Sequence, residues 1–460
     1  MIPRLSLMEM ASLARSGAVS SLELVDAHLD RIEAVNPHYN AFTMVLAEQA
    51  RASARRADQG LKMGLLHGVP VTLKDSFDVA GLTTRLGSYF APEEPAAADS
   101  AVAQRLRRAG AILLGKTNTP EFLSSYETDN FITGRANNPW NVERTPGGSS
   151  GGEAAAIASG CSPGGVGSDG GGSIRVPAHF CGIAGLKPTP GRISLIGHQP
   201  PEASLGIGVA GPMARSVADL RLLFEVLAGY DGRDPRSAPV EARPPDKERL
   251  RIGVFETFYG APAQAAVRRA VREAAAALAL IGFPVDEFQP AGLERAPNLW
   301  SLFFAELPAR AARERIAGRE AEAHWTYTEN LDKLAERPPA GGWQVVEAIA
   351  ARDAMRRGLV EQMKDVPLLL MPVSSIVAFP HRERRFATES KTVGLFQAMM
   401  PSTTFNLLGF PALAVPFTLD EQGMPVGVQI VGRPWEEEAL LALGVALEDA
   451  RGPMQAPPEP

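Results

Sequence analysis

Two serines of this chain lie in separate glycine clusters, and one lysine precedes both of them. Ser149 lies in GGSSGG, Ser173 ends the run DGGGS, and Lys74 follows the short apolar run PVTL. Glycines beside a serine let backbone N–H groups approach a reacting atom with no Cβ in the way, which is how an oxyanion site is built. A serine hydroxyl is a weak nucleophile and needs a base, and no obvious His–Asp pair serves these serines. The residue types therefore indicate acyl transfer by a serine in which a lysine takes part.

The same residues resemble the amidase signature family. The pattern of that family is a lysine after a strand, then GGSSGG, then DxGGSIRxPA, and this sequence has Lys74, residues 147–152 and residues 169–178 in that order. The resemblance continues through four further segments: CGIAGLKPT at 181–189, GPMARSVADL at 211–220, FNLLGFPALAVP at 405–416 and GVQIVGRP at 427–434. It therefore covers most of the chain.

The resemblance implies a role for each of the three residues. Ser173 is expected to be the nucleophile, and Ser149, held in a cis peptide, is expected to relay its proton. Neutral Lys74 would be the base, with no metal and no cofactor. For that role the pKa of Lys74 must fall from about 10.4 to about 7 or 8, which corresponds to about 4 kcal/mol of burial and hydrogen bonding against the charged form. Asp75 and Asp78 would oppose this shift, so we expect them to point elsewhere.

The second glycine cluster is expected to bind the oxyanion through its backbone N–H groups. Family members usually have a larger residue at the position of Gly170. We expect the Gly170 N–H to donate all the same, although glycine makes the loop less rigid. Asp169 and Arg175 are expected to hold the loop through hydrogen bonds or an ion pair. The residues predicted to bind the oxyanion or to lie beside the acyl pocket are Gly170, Gly171, Gly172, Leu123 and Ser125.

Two other motifs point to nucleotide cofactors and are rejected. GAILLGKT at 110–117 matches a phosphate-binding loop, but its central residues form a buried-strand run and Pro120 stands where the phosphate-binding helix should begin. GVGSDG at 165–170 matches a dinucleotide fingerprint, but no acidic residue follows at the expected distance of about 20. Neither motif therefore predicts a nucleotide-binding site.

A third motif offers a different nucleophile. GGSSG at 147–151 matches the nucleophile elbow of α/β-hydrolases, with Ser149 as the attacking residue. An elbow needs a buried strand directly before it, and NPWNVERTPGG is a poor strand. This alternative also leaves Lys74 and the second glycine cluster unexplained. The base would be one of three histidines: His179, His198 or His324.

Composition narrows the class of protein. The 460 residues have a net charge of −6, which argues against a nucleic-acid partner, and no segment concentrates basic residues. No apolar run approaches the ~20 residues that span a bilayer. The first residues predict an amphipathic helix rather than a signal peptide, and Cys161 and Cys181 are expected to be reduced and buried. We expect a cytoplasmic monomer or homodimer.

The order of elements predicts an α/β protein. Short apolar runs alternate with helical patterns between residues 68 and 220, around the motifs. The resemblance implies a single three-layer α/β/α domain over residues 1–460, built around a large mixed twisted sheet. Residues 1–60 are expected to be helical, residues 230–249 an exposed connection, and residues 452–460 a disordered tail.

Residues 290–345 are rich in large aromatic side chains outside the motifs. They include three of the five tryptophans. Such a segment is expected either to cover the site and select flat or apolar substrates, or to pack a peripheral helix pair onto the sheet. The aromatic residues of the segment are Trp300, Phe303, Phe304, Trp325, Tyr327 and Trp343.

The predicted activity is hydrolysis of a carboxylic amide to an acid and an amine or ammonia. Esters and carbamates are plausible second substrates, because the same acyl-enzyme chemistry serves any carbonyl with a leaving group. The alternative from another class is the amidase-like subunit of a tRNA-dependent amidotransferase, which delivers ammonia to a partner. That subunit has a tyrosine-rich motif of the form SAGYYDAYY, and residues 295–365 contain nothing similar.

Overall fold

One large mixed sheet takes strands from the whole length of the chain. The computed structural model describes residues 2–62, 64–200, 206–241, 250–335 and 338–460. Among these the main sheet has 11 strands in the order β1-β3-β2-β4-β6-β5-β12-β13-β9-β7-β8, and β10 and β11 form a separate hairpin. The strands are β1 (Phe42–Val45), β2 (Pro70–Lys74), β3 (Ile112–Thr117), β4 (Gly164–Asp169), β5 (Ala184–Lys187), β6 (Val209–Ala214), β7 (Ile252–Val254), β8 (Val285–Glu287), β9 (Leu368–Pro372), β10 (Arg385–Ala387), β11 (Thr392–Gly394), β12 (Ala412–Leu419) and β13 (Pro425–Gly432).

Helices cover both faces of this sheet. The predicted α/β fold class with a large mixed sheet is therefore confirmed. The helices are α1 (Leu7–Ser16), α2 (Ser21–Tyr39), α3 (Ala47–Gln59), α4 (Ala101–Arg108), α5 (Gly151–Ala158), α6 (Arg175–Cys181), α7 (Val217–Leu227), α8 (Ala265–Leu280), α9 (Ala296–Ser301), α10 (Ala309–Ile316), α11 (Trp325–Ala335), α12 (Gly342–Gln362), α13 (Leu395–Ala398), α14 (Met400–Leu407) and α15 (Glu437–Arg451). None of the helices in the described part of the chain is both long and apolar enough to span a bilayer.

Alternation along the strands divides the core into two layers. In β12, Leu413 and Val415 face a cluster that includes α1, α4, α7, α8 and α15. Ala412 and Ala414, which alternate with these two residues, face clusters on the opposite side of the sheet. The helices α6, α9 and α14 cover that side. This period of two is what a strand buried on both faces requires.

Local signals in the N-terminal region agree with the sequence. Ser20 caps α2 and Glu23 returns the hydrogen bond, so the predicted capping box is present. The helical region also contains the short edge strand β1, which was not predicted from the sequence. Cys161 and Cys181 are free and buried, as predicted.

The structure describes residues 230–241 of the predicted connection and all of the predicted tail. Residues 230–241 have no helix or strand and are mostly exposed, and residues 242–249 lie outside the described residues. The segment follows α7 and leads to β7, so the strands before and after it, β6 and β7, belong to the same sheet. Residues 452–460 also have no regular element, and the Glu459 carboxylate lies 2.6 Å from Arg31 Nη1 on α2.

Three neighbouring strands bring the candidate catalytic residues to the same edge of the sheet. β2 pairs in parallel with β3 on one side and with β4 on the other. Their carboxyl ends therefore lie together, at Lys74, Thr117 and Asp169. The carboxyl edge of parallel strands is where α/β folds place their sites.

Candidate active site

Lys74 ends β2 with its side chain fully buried. Its Nζ lies 2.7 Å from Ser149 Oγ and 3.1 Å from Ser168 Oγ. Burial lowers the pKa of Lys74 to about 7, and the Asp169 and Glu153 carboxylates offset part of that effect. A lysine in this environment is neutral in a large fraction of molecules near pH 7.

The two acidic residues that follow Lys74 in sequence are engaged elsewhere, as expected. Asp75 Oδ1 lies 2.7 Å from Lys116 Nζ, and both side chains are buried. Asp78 accepts a hydrogen bond from the Thr84 hydroxyl at 2.7 Å. The carboxylates that act on Lys74 come instead from β4 and α5.

The first glycine cluster holds Ser149 below the surface. The peptide between Gly148 and Ser149 is cis, and the Ser149 side chain is buried. The Thr119 hydroxyl donates to the Ser149 carbonyl oxygen at 2.9 Å. Residues 124–150 contain no strand, so the strand that a nucleophile elbow requires is missing from this described stretch.

The second glycine cluster forms the loop between β4 and α6 and ends at Ser173. The Ser150 N–H donates to the Ser173 carbonyl oxygen at 3.1 Å, which ties the two clusters together. Ser173 is 8% exposed and lies in the wall of a cavity, whereas Lys74 and Ser149 lie beneath that wall. The structure thus brings all three predicted residues to one place.

Asp169 and Arg175 hold this loop from below, as expected. Arg175 Nε lies 3.0 Å from Asp169 Oδ2, and both side chains are buried. Burial acts to raise the pKa of Asp169, but the Arg175 charge and the hydrogen bonds to the carboxylate outweigh it and hold the pKa well below its usual range. The Gly172 N–H donates to Asp169 Oδ1 at 2.7 Å. Because this N–H already has a partner within the loop, it does not point to an oxyanion, in contrast to the expectation from the sequence.

Two aromatic side chains orient the remaining peptides of the loop. Trp300 Nε1 donates to the Gly170 carbonyl oxygen at 2.7 Å, and the Tyr126 hydroxyl donates to the Gly171 carbonyl oxygen at 2.7 Å. No role was predicted for Tyr126 from the sequence. The sequence indicates a role for Tyr126 only through its position directly after Ser125, a residue predicted to line the pocket.

The cavity beside Ser173 has a volume of about 420 Å³. Leu123 and Ser125 both line it, at the positions expected from the resemblance. The wall is otherwise mostly apolar and includes six aromatic side chains: Phe122, Tyr126, Trp300, Phe304, Tyr327 and Phe396. Such a wall suits a flat or apolar group.

Residues 290–345 divide between the two predicted outcomes. Trp300 and Tyr327 line the cavity and are also buried in hydrophobic clusters, and Phe304 lines it from a partly exposed position. Trp343 is 71% exposed. The ring of Trp325 lies against the guanidinium groups of Arg382 and Arg384. Residues 336 and 337 of this segment lie outside the described residues.

None of the three histidines considered as a base is hydrogen-bonded to Ser149 in the described part of the chain. His179 contacts the Ile376 carbonyl oxygen at 3.0 Å, and its other ring nitrogen accepts from the Gly427 N–H at 2.7 Å. His324 contacts the Thr326 hydroxyl at 3.0 Å, and the ring of His198 packs edge-on against Phe77. Among the described residues, the side chain that hydrogen-bonds to Ser149 Oγ is that of Lys74.

The family model described as Amidase matches residues 23–441. This chain belongs to the amidase signature family. It is therefore an enzyme of a family whose members include hydrolases that act on amides.

Relatives in this family cover nearly the whole chain. It is 36% identical to a glutamyl-tRNA(Gln) amidotransferase subunit of Anaeromyxobacter sp. strain K, over 99% of this chain and 98% of that protein. It is 34% identical to indoleacetamide hydrolase of Bradyrhizobium diazoefficiens, over 97% of this chain and 86% of that protein. A crystal structure of an amidase superposes with a TM-score of 0.85 at 33% identity, covering 97% of this chain and 100% of the other.

Proposed function

We propose that this protein hydrolyses a carboxylic amide through an acyl-enzyme on Ser173. The observation that carries the proposal is the buried contact of 2.7 Å between Lys74 Nζ and Ser149 Oγ. The N–H of the next residue, Ser150, donates to the Ser173 carbonyl oxygen, and Ser173 lies in the cavity wall. A neutral amine in contact with one serine hydroxyl, on a loop that is tied to a second and accessible serine, supports a proton relay.

The reaction begins when Ser173 Oγ attacks the amide carbon. The Ser173 proton passes to Ser149, whose own proton passes to neutral Lys74. The tetrahedral intermediate then collapses, the C–N bond breaks, and the proton returns through Ser149 to the leaving amine. Water attacks the acyl-enzyme by the same relay and releases the carboxylic acid, so that R–CO–NH–R′ and water give R–COOH and R′–NH₂.

The negative charge that develops on the carbonyl oxygen needs backbone donors. The Gly171 N–H shares a peptide plane with the Gly170 carbonyl, and a trans peptide points these two groups in opposite directions. Because Trp300 holds that carbonyl, the Gly171 N–H points away from the indole. We assign it to the oxyanion together with the Gly170 N–H. Loss of one such donor in a serine hydrolase costs about 3 to 4 kcal/mol.

The cavity wall favours an aromatic or otherwise apolar acyl group. Its aromatic side chains provide stacking surfaces for such a group. The similarity to an indoleacetamide hydrolase supports the same class of substrate. Aryl esters and carbamates fit the same chemistry.

One experiment tests this function. The purified chain is assayed against aryl and alkyl amides, esters and carbamates, and is then treated with a small fluorophosphonate and digested for mass spectrometry. We expect release of amine from aryl amides and a single adduct on the peptide that contains Ser173. An adduct on Ser149 would replace the proposal with the nucleophile-elbow mechanism.

The second candidate is an ammonia-delivering amidotransferase subunit. The 36% identity to such a subunit over nearly the full length favours it. Residues 295–365 lack the tyrosine-rich glutamine-site motif, and the cavity they help to line is mostly apolar. An aryl amide and L-glutamine offered to the single chain separate the two functions. Hydrolysis of glutamine alone would favour the subunit.

A further inference from the structure

Two stacked aromatic rings lie directly on the glycine loop. The rings of Trp300 and Phe304 are 4.7 Å apart at an interplanar angle of 15°. Trp300 comes from α9 and is 6% exposed, and Phe304 comes from the π-helical turn Leu302–Glu306 that follows. The buried Leu299 and Phe405 belong to the same hydrophobic cluster as Trp300, which fixes the indole in place.

The rings occupy the space that side chains at two loop positions would need. A Cβ on Gly170 would lie 2.5 Å from Phe304 Cε2, and a Cβ on Gly171 would lie 2.4 Å from Trp300 Cζ2. Both distances are shorter than non-bonded carbon atoms tolerate. The loop and the ring pair are therefore in direct contact along the whole Gly170–Gly171 peptide.

Backbone conformation does not explain these two glycines. Gly172 has a φ of +112°, in the region that favours glycine, but Gly170 and Gly171 are not among the residues with positive φ. A positive φ is therefore not the reason for glycine at positions 170 and 171. The ring pair is what demands glycine at these positions.

We propose that Trp300 and Phe304 are positioning residues that set the orientation of the Gly170–Gly171 peptide. Trp300 does so by donating to the Gly170 carbonyl oxygen, and Phe304 by packing on the α-carbon of Gly170. The Gly171 N–H is thereby aimed away from the indole, at the oxyanion. This inference rests on the proposed function, because it assumes that the loop binds an oxyanion.

A positioning role differs from a substrate cover in what it does to small substrates. A cover contacts only acyl groups large enough to reach it, so its loss raises KM for an aryl amide and leaves acetamide unaffected. A positioning pair acts on the peptide that binds the oxyanion, so its loss lowers kcat by the same factor for both. The Trp300→Phe substitution separates the two, because it keeps a ring and removes the indole N–H.

We expect Trp300→Phe to lower kcat about 3- to 10-fold on both phenylacetamide, which has an aromatic acyl group, and acetamide, the range set by loss of one hydrogen bond. The rate of Ser173 labelling by a small alkyl fluorophosphonate should fall by the same factor, while both KM values change little. A rise in KM for phenylacetamide, with kcat on acetamide unchanged, would overturn the positioning role.

A pair of compensating substitutions tests the contact itself. Gly170→Ala should lower kcat at least tenfold, because its methyl group meets Phe304 and displaces the peptide. Adding Phe304→Ala opens that space, so the double variant should be more active than Gly170→Ala alone and about as active as Phe304→Ala alone, and the two losses should not add. Gly171→Ala is the matched control, since its methyl group meets Trp300, and Phe304→Ala should not relieve it.

The outcomes separate the two proposals. If the unmodified protein hydrolyses none of these amides and Ser173 takes no label, the proposed function fails. If the unmodified protein is active and labelled, but the losses from Gly170→Ala and Phe304→Ala simply add, only the positioning role is overturned. The free energy of unfolding of each variant, from urea denaturation, shows whether a loss of kcat reflects a loss of folded protein.

Discussion

The two glycine clusters of the site are enclosed by different parts of the molecule. In the first, a Cβ on Gly148 would lie 2.4 Å from the Ser125 carbonyl oxygen, and a Cβ on Gly152 would lie 2.5 Å from the Asn118 nitrogen. These neighbours are backbone atoms of residues 68–220, the region that contains the motifs. In the second, Gly170 and Gly171 face the side chains of residues from outside that region.

This difference teaches which part of the site can vary. The backbone around Gly148 and Gly152 belongs to the fold, so no side-chain exchange can make room for a larger residue at these two positions. The space around Gly170 is set by Phe304, which another residue can replace. Gly148 and Gly152 therefore depend on the fold itself, whereas Gly170 and Gly171 depend on the segment that also lines the cavity.

The largest expected effect distinguishes the serines of the two clusters. Ser173→Ala should lower kcat for an aryl amide by about 10⁴-fold or more, because no nucleophile remains, and should abolish phosphonate labelling. Ser149→Ala removes only the relay, so slow labelling of Ser173 should persist. Mass spectrometry of the labelled peptides checks both variants. Full labelling of Ser173→Ala, with none of Ser149→Ala, would assign the nucleophile to the first cluster.

Lys74 is expected to have the next largest effect, and it depends on pH. Since the base must be unprotonated, kcat/KM for an amide should rise with pH through an apparent pKa near 7, the value to which burial lowers that of Lys74. Lys74→Ala should remove this limb and lower the rate about 10²- to 10⁴-fold. Activated aryl esters serve as the control, because their leaving groups need no proton and should lose less. An identical pH profile in the variant would remove Lys74 from the mechanism.

The comparison between the clusters is itself open to test. Gly148→Ala should lower the free energy of unfolding by about 1 to 3 kcal/mol or more, as overpacking does, and activity should fall with it. Gly170→Ala should lose activity with little loss of stability, because Gly170 lies in a partly exposed part of its loop, where the peptide can shift without disturbing the core. Urea denaturation of the two variants, side by side, measures the contrast. Equal destabilisation would mean that both clusters are enclosed with the same rigidity.

The positions of the motif residues could be predicted from the sequence, because the family pattern matches each of them individually. Lys74 contacts Ser149, and Ser173, Leu123 and Ser125 line the cavity. The sequence could not predict the hydrogen bond from Trp300 to Gly170, since it joins residues far apart in the chain and depends on how α9 lies against the sheet.

Two other differences between prediction and structure have the same physical origin. A run of glycines predicts exposed backbone donors, including the Gly172 N–H, but in the structure this N–H donates to the Asp169 carboxylate at the end of β4. The edge strand β1 is too short to show a period of two. In each case a tertiary contact decided between alternatives that local sequence left open.

The smallest expected effect concerns Glu153, a buried carboxyl group on α5 beside the first cluster. Its Oε2 accepts from the Thr117 hydroxyl at 2.7 Å, and Oε1 accepts from the Thr72 hydroxyl. Burial raises the pKa of Glu153 to about 7, and its charge acts to raise the pKa of Lys74. Glu153→Gln should therefore shift the rising limb of kcat/KM to lower pH by a fraction of a unit.

The same substitution should change how stability depends on pH. Between its ordinary pKa of about 4.3 and the raised value, the folded protein keeps a proton on Glu153 that the unfolded chain has released. This contribution is present at low pH and is lost as pH rises toward 7, so Glu153→Gln should flatten that decline in urea denaturation. Glu448→Gln is the matched control, since burial also raises the pKa of Glu448 to about 7 but this group lies on α15 against the Val217 N–H. The control should flatten the stability profile without moving the activity limb, and an equal shift of the limb in both variants would exclude a direct effect of Glu153 on Lys74.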